Sequence, residues 1–365
     1  MKSRKNKTQE IYEFLKQEIE SGAYKRGELL PTDLQISEKF KTSRPTVAKA
    51  VQRLVDENVL ARKAGFGTYL KNKPQVGSSD DKITLGLLIP SLGETEIFEP
   101  ICGQIASLAD SYNFNLLWGN TGSSLDKRAE AAEQLAHKYI KEAVDGVFFT
   151  PIELHQDAEV INARILELFK NAHIPVTLLD RDVVQAPLKS EYDLIGINNI
   201  EAGYLIGSHL VEKKCRSIAF ITRPHIASTV HMRLMGLREA ILQAGLPHNS
   251  VEELIVEEDI DNLARQISSE KRFDALAIYN DAAAAELSIA LDQLGVNIPQ
   301  DIKICAFDDV KYAKLLKTPL TTYRQPCRDI GATAVEIMIS RIKNPSISAR
   351  KVLLHGELII RESSK

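Results

Sequence analysis

The sequence contains few cysteines, and they are far apart. Cys102, Cys215, Cys305 and Cys327 form no CxxC pair and no Cys/His cluster with the spacing of metal ligands. This spacing argues against a disulfide-stapled secreted fold and against a zinc module. We therefore expect reduced cysteines in the core of a cytoplasmic protein that holds no metal.

Long apolar runs are also missing. No segment approaches the roughly 18 continuous apolar residues that suggest a transmembrane helix. The charged start MKSRKNKTQE is not followed by an apolar stretch of signal-peptide length. The sequence therefore predicts neither membrane insertion nor export.

Common catalytic motifs are absent as well. The eight histidines include no HxxxH pair, and the sequence contains no nucleophile elbow. No lysine lies in a Gly/Ser-rich loop of the kind that holds pyridoxal phosphate. We therefore predict a protein that is not an enzyme and has no cofactor.

Charge is distributed unevenly along the 365 residues, which are enough for more than one core. Residues 1–73 carry 16 Lys+Arg against 9 Asp+Glu, whereas the remaining residues carry 30 against 40. A basic head on an acidic body is expected where only the head meets a polyanion such as DNA.

The basic head has the apolar periodicity of three helices. The first is predicted over Thr8–Ser21, and the second opens at Pro31 and Thr32. The third begins near Ser43, with Pro45 in its first turn, where a missing N–H costs nothing. Three short helices separated by tight turns are typical of helix-turn-helix proteins.

The third helix is predicted to be amphipathic, with a polar face suited to a DNA groove. Its apolar stripe comprises Val47, Ala50, Val51, Leu54 and Val55. This stripe turns Thr46, Lys49 and Arg53 outward and leaves Arg44 on the exposed first turn. Two short extended segments around residues 59–62 and 68–70 then flank Gly65 and Gly67. These glycines permit a tight hairpin, which we interpret as a DNA-contacting wing.

Residues 9–70 resemble the GntR-type winged helix-turn-helix. The match runs through Gly22, Gly27, Leu30-Pro31-Thr32-Asp33, Ser43-Arg44-Pro45-Thr46-Val47, Leu54 and Gly65-Phe66-Gly67-Thr68. The resemblance implies that Arg44 and Thr46 contact DNA and that the wing reaches the neighbouring minor groove. Ala48 and Leu34 depart from the family's usual residues, so Lys49 or Arg53 would have to compensate. A protein-binding three-helix module with a solvated basic face is the alternative.

Residues 71–82, KNKPQVGSSDDK, have the composition of a linker. The predicted domains are therefore a winged helix-turn-helix at 1–70, this linker, and a body at 83–365. In the body, short aliphatic runs alternate with helical stretches, and the series ITLGLLI, DGVFFTP, IPVTLLDRD is echoed by SIAFITR, DALAIYND and IKICAFDDV. The pattern predicts an α/β body of two similar lobes with parallel sheets, and a ligand cleft between them.

Polar pairs follow several predicted strands of the body. They are Asp180-Arg181, Asn280-Asp281 and Asp308-Asp309, with aromatic residues nearby at Phe98, Trp118, Tyr279 and Phe307. Carboxylates, amides and an arginine fork suit a polyhydroxylated ligand, and an aromatic ring suits the apolar face of a sugar. Each residue also has a purely structural alternative, as a helix N-cap or as part of the core.

Residues 83–365 resemble the effector-binding body of LacI/GalR-type regulators, which is related to periplasmic sugar-binding proteins. The resemblance is carried by IPVTLLDRD, RLMGL at 233–237, NDAAAA at 280–285, VNIPQDI at 296–302, FDD at 307–309 and PLTTYRQP at 319–326. It implies that Asp180, Arg233, Asn280 and Asp308 bind the effector and that Gln325 lies at a lobe crossover. Glu96, Phe98 and Glu99 are further candidates, but they lie in a loop that matches poorly. Arg181 and Asp309 have a structural alternative as a surface or hinge ion pair.

The combination of head and body resembles regulators of the arabinose-repressor type. It implies a homodimer on a double-stranded operator with two half-sites, controlled by a small carbohydrate that closes the lobes, with repression relieved by the sugar. Two alternatives follow from other known bodies on GntR-type heads. One is an enzyme-like body related to pyridoxal-phosphate-dependent aminotransferases, and the other is a helical metal-binding effector domain.

Overall fold

The computed structural model describes residues 7–20, 24, 29–56, 59–63, 67–70, 82–90, 97–119, 125–257 and 259–365. The predictions for Gly65, Glu96 and residues 71–81 of the linker fall outside these residues. Contacts divide the chain into a unit formed mainly by Met1–Lys82, here called the head, and a unit of Ile83–Lys170 and Ile174–Lys365, here called the body.

The head contains the three predicted helices and the predicted hairpin. Its elements are α1 (Lys7–Glu20), α2 (Asp33–Lys39), α3 (Arg44–Asp56), β1 (Leu60–Lys63) and β2 (Gly67–Leu70). A capping box begins α2, because the Gln35 N–H donates to the Thr32 hydroxyl and the Thr32 N–H donates to Gln35 Oε1. The prediction from the sequence that the second helix opens at Pro31 and Thr32 is therefore confirmed by the hydrogen bonds of its N-cap.

One small core holds the head together. The predicted stripe of α3 is buried at Val47, Ala50, Val51 and Leu54, whereas Val55 is only half-buried. These side chains pack with the apolar residues of α1. The hairpin strands β1 and β2 pair in antiparallel fashion, and an isolated bridge from Leu29 to Tyr69 ties the hairpin to the segment before α2.

The body alternates strands and helices. Its first part comprises β3 (Ile83–Leu88), α4 (Phe98–Ser107), β4 (Phe114–Trp118), α5 (Leu125–Lys141), β5 (Gly146–Phe149), α6 (Ala158–Asn171), β6 (Val176–Leu179) and β7 (Asp193–Ile197). Its second part comprises α7 (Asn199–Glu212), β8 (Ile218–Thr222), α8 (Ser228–Gln243), β9 (Val251–Ile255), α9 (Ile260–Glu270), β10 (Ala275–Ile278), α10 (Asp281–Gln293), β11 (Lys303–Asp308) and β12 (Thr321–Arg324). The chain ends with α11 (Cys327–Lys343), β13 (Lys351–Leu354) and β14 (Glu357–Ile359).

These strands form two separate sheets, one in each lobe. The order is β13-β7-β6-β5-β3-β4 in lobe 1 and β14-β12-β11-β10-β8-β9 in lobe 2. All described pairings are parallel except that of β12 with β14. The prediction of a two-lobed α/β body with parallel sheets is confirmed. The chain passes between the lobes after β7, after β12 and after β13, so Gln325 lies at the second crossover as predicted.

Central strands of both sheets are buried on both faces, which explains the aliphatic runs in the sequence. Every residue of β5, β6 and β10 is buried. Cys102, Cys215 and Cys305 are buried free thiols as predicted, whereas Cys327 is half-buried and also free. Within the described residues, no helix is long and apolar enough to cross a membrane.

Candidate DNA-binding surface and effector cavity

The N-terminal turn of α3 presents the predicted base-reading residues. Arg44 and Lys49 are exposed, whereas Thr46 is half-buried. The Thr46 hydroxyl oxygen lies 2.8 Å from that of Ser43, so the two hydroxyls share one hydrogen bond. A guanidinium and an ammonium group on one exposed helix are positioned to reach base edges and phosphates.

Arg53 is already used within the head. Its Nη1 donates to Gln9 Oε1 at 2.8 Å, and its guanidinium carbon lies 4.1 Å from the centroid of the Tyr12 ring. These contacts join the end of α3 to α1. A DNA contact by Arg53 stays a prediction, and it would use the guanidinium N–H groups that Gln9 leaves free.

The wing is held by an arginine that sequence reasoning did not single out. Arg62 Nη2 donates to both carboxylate oxygens of Asp33, at 2.6 and 2.8 Å, and its Nε donates to Thr68 Oγ1 at 3.2 Å. Gly67 has a φ of +118°, a conformation that suits glycine. The fork of Arg62 thus fixes the hairpin against the start of α2.

In the body, the ends of strands from both lobes meet around a chamber of about 270 Å³. Its lining includes Asp180 and Arg181 after β6, Asn280 after β10, Asp308 at the end of β11, and Arg233 of α8. The body has wider grooves, including one of about 780 Å³ beside α4. The chamber is distinguished by the predicted polar residues of both sheets, which converge on it.

Arg233 is the most completely fixed side chain of the chamber. Its Nε donates to Asn199 Oδ1 at 2.9 Å and its Nη1 donates to the carbonyl oxygen of Tyr279 at 2.8 Å. The guanidinium lies over the ring of Phe307, 4.5 Å from its centroid. The two hydrogen bonds use two of the five N–H groups of Arg233. Only 5% of the residue is exposed, so the other three N–H groups are held in preset directions.

Two buried carboxyl groups flank this arginine. Burial raises the pKa of Asp308 to about 6, although Arg233 and a hydrogen bond from Gln325 act in the opposite direction. Burial also raises the pKa of Asp180, and Arg181 and Arg233 oppose that effect. Asp308 and Asp180 have φ angles of +115° and +69°, so both carboxyl groups lie on strained backbone of a kind common at functional sites.

Arg181 is paired inside the chamber rather than on the surface. It forms an ion pair with Glu153, and its Nε lies 3.7 Å from Asp180 Oδ2. That Nε has no hydrogen-bond partner among the described residues, and neither does the buried Oε1 of Gln325. Buried polar atoms without a partner are unusual in native proteins, so the Nε of Arg181, which lines the chamber, is a candidate for a ligand contact. Gln325 lines the wider groove beside α4.

The aromatic residues differ in part from the prediction. Phe98 is fully buried in the core and does not line the chamber, and its ring lies 5.8 Å below the guanidinium carbon of Arg181. Phe307 is also core, and Trp118 is 60% exposed outside the chamber. Tyr279 alone among the four lines the chamber. Phe98 therefore packs beneath Arg181. The prediction that Phe98 contacts the effector directly is corrected, because its side chain does not line the chamber.

The second members of the polar pairs have structural roles. Asp281 accepts hydrogen bonds from the Thr322 hydroxyl at 2.6 Å and from the Val310 N–H at 2.9 Å. Asp309 pairs with Arg324 and Arg361, each at 2.6 Å, rather than with Arg181. Asn280 combines both interpretations, because it lines the chamber and also caps α10 by accepting the Ala283 N–H at 2.9 Å.

Sequence reasoning missed other charged lining residues, notably Glu153, Arg223 and Glu286. Arg223 directly follows β8, and Glu153 follows β5 by four positions. Polar residues that follow strands were predicted to face the ligand after β6, β10 and β11. The same rule, applied to β8 and β5, would have indicated Arg223 and Glu153. Glu286 lies on the second turn of α10, where the sequence gives no comparable signal.

The chamber is closed at its edge by contacts between the lobes. The Leu154 N–H of lobe 1 donates to the His225 carbonyl of lobe 2 at 2.7 Å. The Ala227 N–H of lobe 2 donates to Glu153 Oε2 at 3.0 Å. Leu154 and His225 both have positive φ angles, of 59° and 54°. Glu153 thus contacts Arg181 inside the chamber and lobe 2 at its edge.

A glycine in α7 permits the backbone position of Arg233. A Cβ at Gly203 would lie far inside van der Waals contact of the Arg233 carbonyl oxygen. We expect Gly203→Ala to force α7 and α8 apart and to lower the free energy of unfolding by at least about 1–3 kcal/mol. Gly103→Ala in α4 is the control, because its Cβ meets nothing within 4 Å. Calorimetry should show a loss only for Gly203→Ala, and equal midpoints would contradict the close approach.

Comparisons with known proteins agree with both units. Residues 7–70 match the gntR family of bacterial regulatory proteins, and residues 208–364 match a periplasmic binding protein-like domain. The arabinose metabolism transcriptional repressor of Geobacillus stearothermophilus is 27% identical over 374 residues, covering 99% of both chains. The transcriptional repressor PurR of Vibrio vulnificus is 28% identical and covers 77% of this chain and 81% of its own.

Solved structures support the fold of the body. A periplasmic binding protein/LacI transcriptional regulator from Alkaliphilus metalliredigens, complexed with D-xylulofuranose, superposes with a TM-score of 0.63 at 23% identity. The match covers 77% of this chain and 99% of that one. An aminotransferase-like body and a helical metal-binding body, the two alternatives from the sequence, are both wrong. The chain is therefore a ligand-responsive DNA-binding transcriptional regulator, in which residues 7–70 match the gntR family of bacterial regulatory proteins and residues 208–364 match a periplasmic binding protein-like domain.

Proposed function

We propose that this regulator acts as a homodimer in the cytoplasm and represses transcription until a small carbohydrate occupies the chamber. The observation that carries the proposal is the convergence of Asp180, Arg233, Asn280 and Asp308 from both lobes on one chamber. Carboxylates, an amide and a guanidinium fork match the alternating donors and acceptors of a sugar. The D-xylulofuranose complex of the related fold supports the same ligand class.

Closure of the lobes is the proposed link between sugar and DNA. A ligand shifts an equilibrium only if it binds one state better than the other. A sugar that contacts Asp180 in lobe 1 and Arg233 in lobe 2 binds only when the lobes are together. We propose that closure changes the separation of two heads in the dimer, and thereby their fit to two half-sites.

The proposed domains are the winged helix-turn-helix at 1–70, the linker at 71–82 and the effector-binding and dimerisation body at 83–365. In the head, Arg44, Thr46 and Lys49 are the proposed base and phosphate contacts, together with the wing at Gly65 and Gly67. The proposed role of the body is binding rather than catalysis, in keeping with the two repressors that it resembles.

The DNA contacts of the head are tested at Arg44. Arg44→Ala is expected to weaken operator binding by about 1–3 kcal/mol, because an exposed guanidinium on the first turn of α3 is lost from the groove. Lys16→Ala, a change of equal charge on α1, is the control and should have a smaller effect. Fluorescence anisotropy on operator DNA at several salt concentrations makes the comparison. Equal losses would indicate that α3 is not the recognition helix.

The ligand class is tested by a thermal-shift screen of the full chain against monosaccharides. A ligand at 100 times its Kd stabilises the folded state by about 2.7 kcal/mol, which is readily detected. We expect one or a few sugars to raise the midpoint and to change the affinity for operator DNA. A screen in which no carbohydrate binds would reject the proposed effector.

A further inference from the structure

Seven of the sixteen described residues that line the chamber carry charged groups. The carboxylates belong to Glu153, Asp180, Glu286 and Asp308, and the guanidinium groups belong to Arg181, Arg223 and Arg233. Carboxylates therefore outnumber the cations among these residues.

Two of the three arginines that a sugar acid could pair with already face carboxylates, whereas Arg223 donates to the Glu257 carbonyl oxygen at 3.3 Å. Glu153 forms an ion pair with Arg181, which is 5% exposed. Arg233 donates two N–H groups to Asn199 and to the Tyr279 carbonyl oxygen. Its positive charge lowers the pKa of Asp180 and of Asp308 against the effect of burial. An added anion would therefore meet two guanidinium groups that are each neutralised by a neighbouring carboxylate.

The negative charges of the chamber also act on its carboxyl groups. Burial first, and then the negative charges of Asp180 and Glu153, raise the pKa of Asp308 despite the nearby Arg233. An additional carboxylate or phosphate placed in the chamber would be repelled in the same way. A hydroxyl group carries no charge, and it donates to a carboxylate while accepting from a guanidinium.

From this charge distribution, and resting on the proposed carbohydrate-responsive function, we propose that the chamber selects an uncharged polyhydroxy ligand of monosaccharide size. Glu153 excludes sugar acids and sugar phosphates by neutralising Arg181. The size follows from the volume, because about 270 Å³ lies below the roughly 300–1,000 Å³ of pockets that hold drug-sized ligands.

The test compares matched neutral and anionic sugars on the full-length wild-type chain by calorimetric titration. The probes are D-glucose, D-galactose, D-ribose, D-xylose and L-arabinose, each with its aldonate and its terminal phosphate ester. We expect at least one neutral sugar to bind and its two anionic counterparts to bind at least about tenfold more weakly. An aldonate or phosphate ester that binds as tightly as its neutral counterpart would overturn the proposal.

The role of Glu153 is tested by Glu153→Gln. This change keeps the shape and the acceptor for the Ala227 N–H but leaves the charge of Arg181 unmatched. Affinity for the aldonate is expected to rise about tenfold or more, while Glu286→Gln, at an exposed carboxylate of the same lining, changes it less. No gain in the Glu153 variant would overturn the role of that residue. If the Glu153 variant does not fold, the titration of the wild-type chain with neutral and anionic sugars still tests the charge selection.

The outcomes separate this inference from the proposed function. Preference for an anionic sugar overturns charge selection but keeps a carbohydrate effector. The absence of binding by every neutral and anionic sugar rejects the carbohydrate effector, and the inference falls with it.

Discussion

Asp308→Asn is expected to raise the free energy of unfolding of the ligand-free body by up to about 3 kcal/mol at pH 7. Burial raises the pKa of Asp308 to about 6 from the ordinary aspartate value of about 3.9, and each pKa unit corresponds to about 1.4 kcal/mol. A carboxyl with a raised pKa favours the folded state below pH 4, and that contribution is lost as the pH rises through about 6. An amide avoids this loss and still accepts the hydrogen bond from Gln325.

The same substitution is expected to weaken effector binding, since an amide replaces a buried charged acceptor whose hydrogen bonds contribute about 1.5–3 kcal/mol. Stability and ligand response should therefore change in opposite directions, as is common at functional sites. Calorimetry between pH 5 and pH 7.5 measures the first effect, and the gain over wild type should shrink towards pH 5.

Asp193 provides a control of opposite sign. Burial alone would raise its pKa, but hydrogen bonds from Arg341 and Arg350 lower it overall. Its contribution to stability is therefore present above its unfolded pKa and is lost as the pH falls. Asp193→Asn should destabilise the body at pH 7 without removing the chamber. If both variants shift the midpoint in the same direction, the account of Asp308 is wrong.

Arg233→Ala is expected to lower the free energy of unfolding by about 3–5 kcal/mol and to abolish effector-induced stabilisation. The change leaves Asn199 Oδ1 and the Tyr279 carbonyl without their donor, and it deprives Asp180 and Asp308 of a neighbouring cation. Acid should restore part of the loss, because protonation removes the uncompensated charges. Scanning calorimetry with and without the sugar measures both effects.

Two further variants test whether the effects of Arg233→Ala come from the guanidinium fork at this position. Arg233→Lys keeps the charge but not the planar fork, so it should keep more stability than alanine and still bind the effector poorly. Arg238→Ala removes a half-buried arginine from the same helix, whose nearest carboxylate oxygen is on Glu253 at 3.8 Å. It should cost less than about 1 kcal/mol. Full effector response in Arg233→Ala would remove this residue from the site.

The fold was largely predictable because its determinants are local. The capping box at Thr32, the apolar stripe of α3 and the wholly buried runs of β5, β6 and β10 are each visible in a few adjacent residues. The repeated strand series gave the two lobes. The third crossover, from β13 to β14, was not predicted, since those edge strands are short and only half-buried.

The candidate site was predictable only where its residues end strands. Asp180, Asn280 and Asp308 followed from this rule, and Arg233 followed only from the family resemblance. The pairing of Arg181 with Glu153 and the support of Arg233 by Asn199 join residues that are far apart in sequence. The position predicted for Phe98 was wrong, because an aromatic residue near a strand end can pack in the core as readily as it can contact a ligand.

The most direct test of sugar-controlled DNA binding uses operator DNA that the protein itself selects from a random pool. Fluorescence anisotropy then measures the affinity of wild type and Asp308→Asn for this DNA, with and without the sugar found by thermal shift. We expect at least about a tenfold change for wild type and little change for the variant, with similar sugar-free affinities. Equal affinity of the wild type with and without a sugar that it binds would show that the sugar does not control DNA binding.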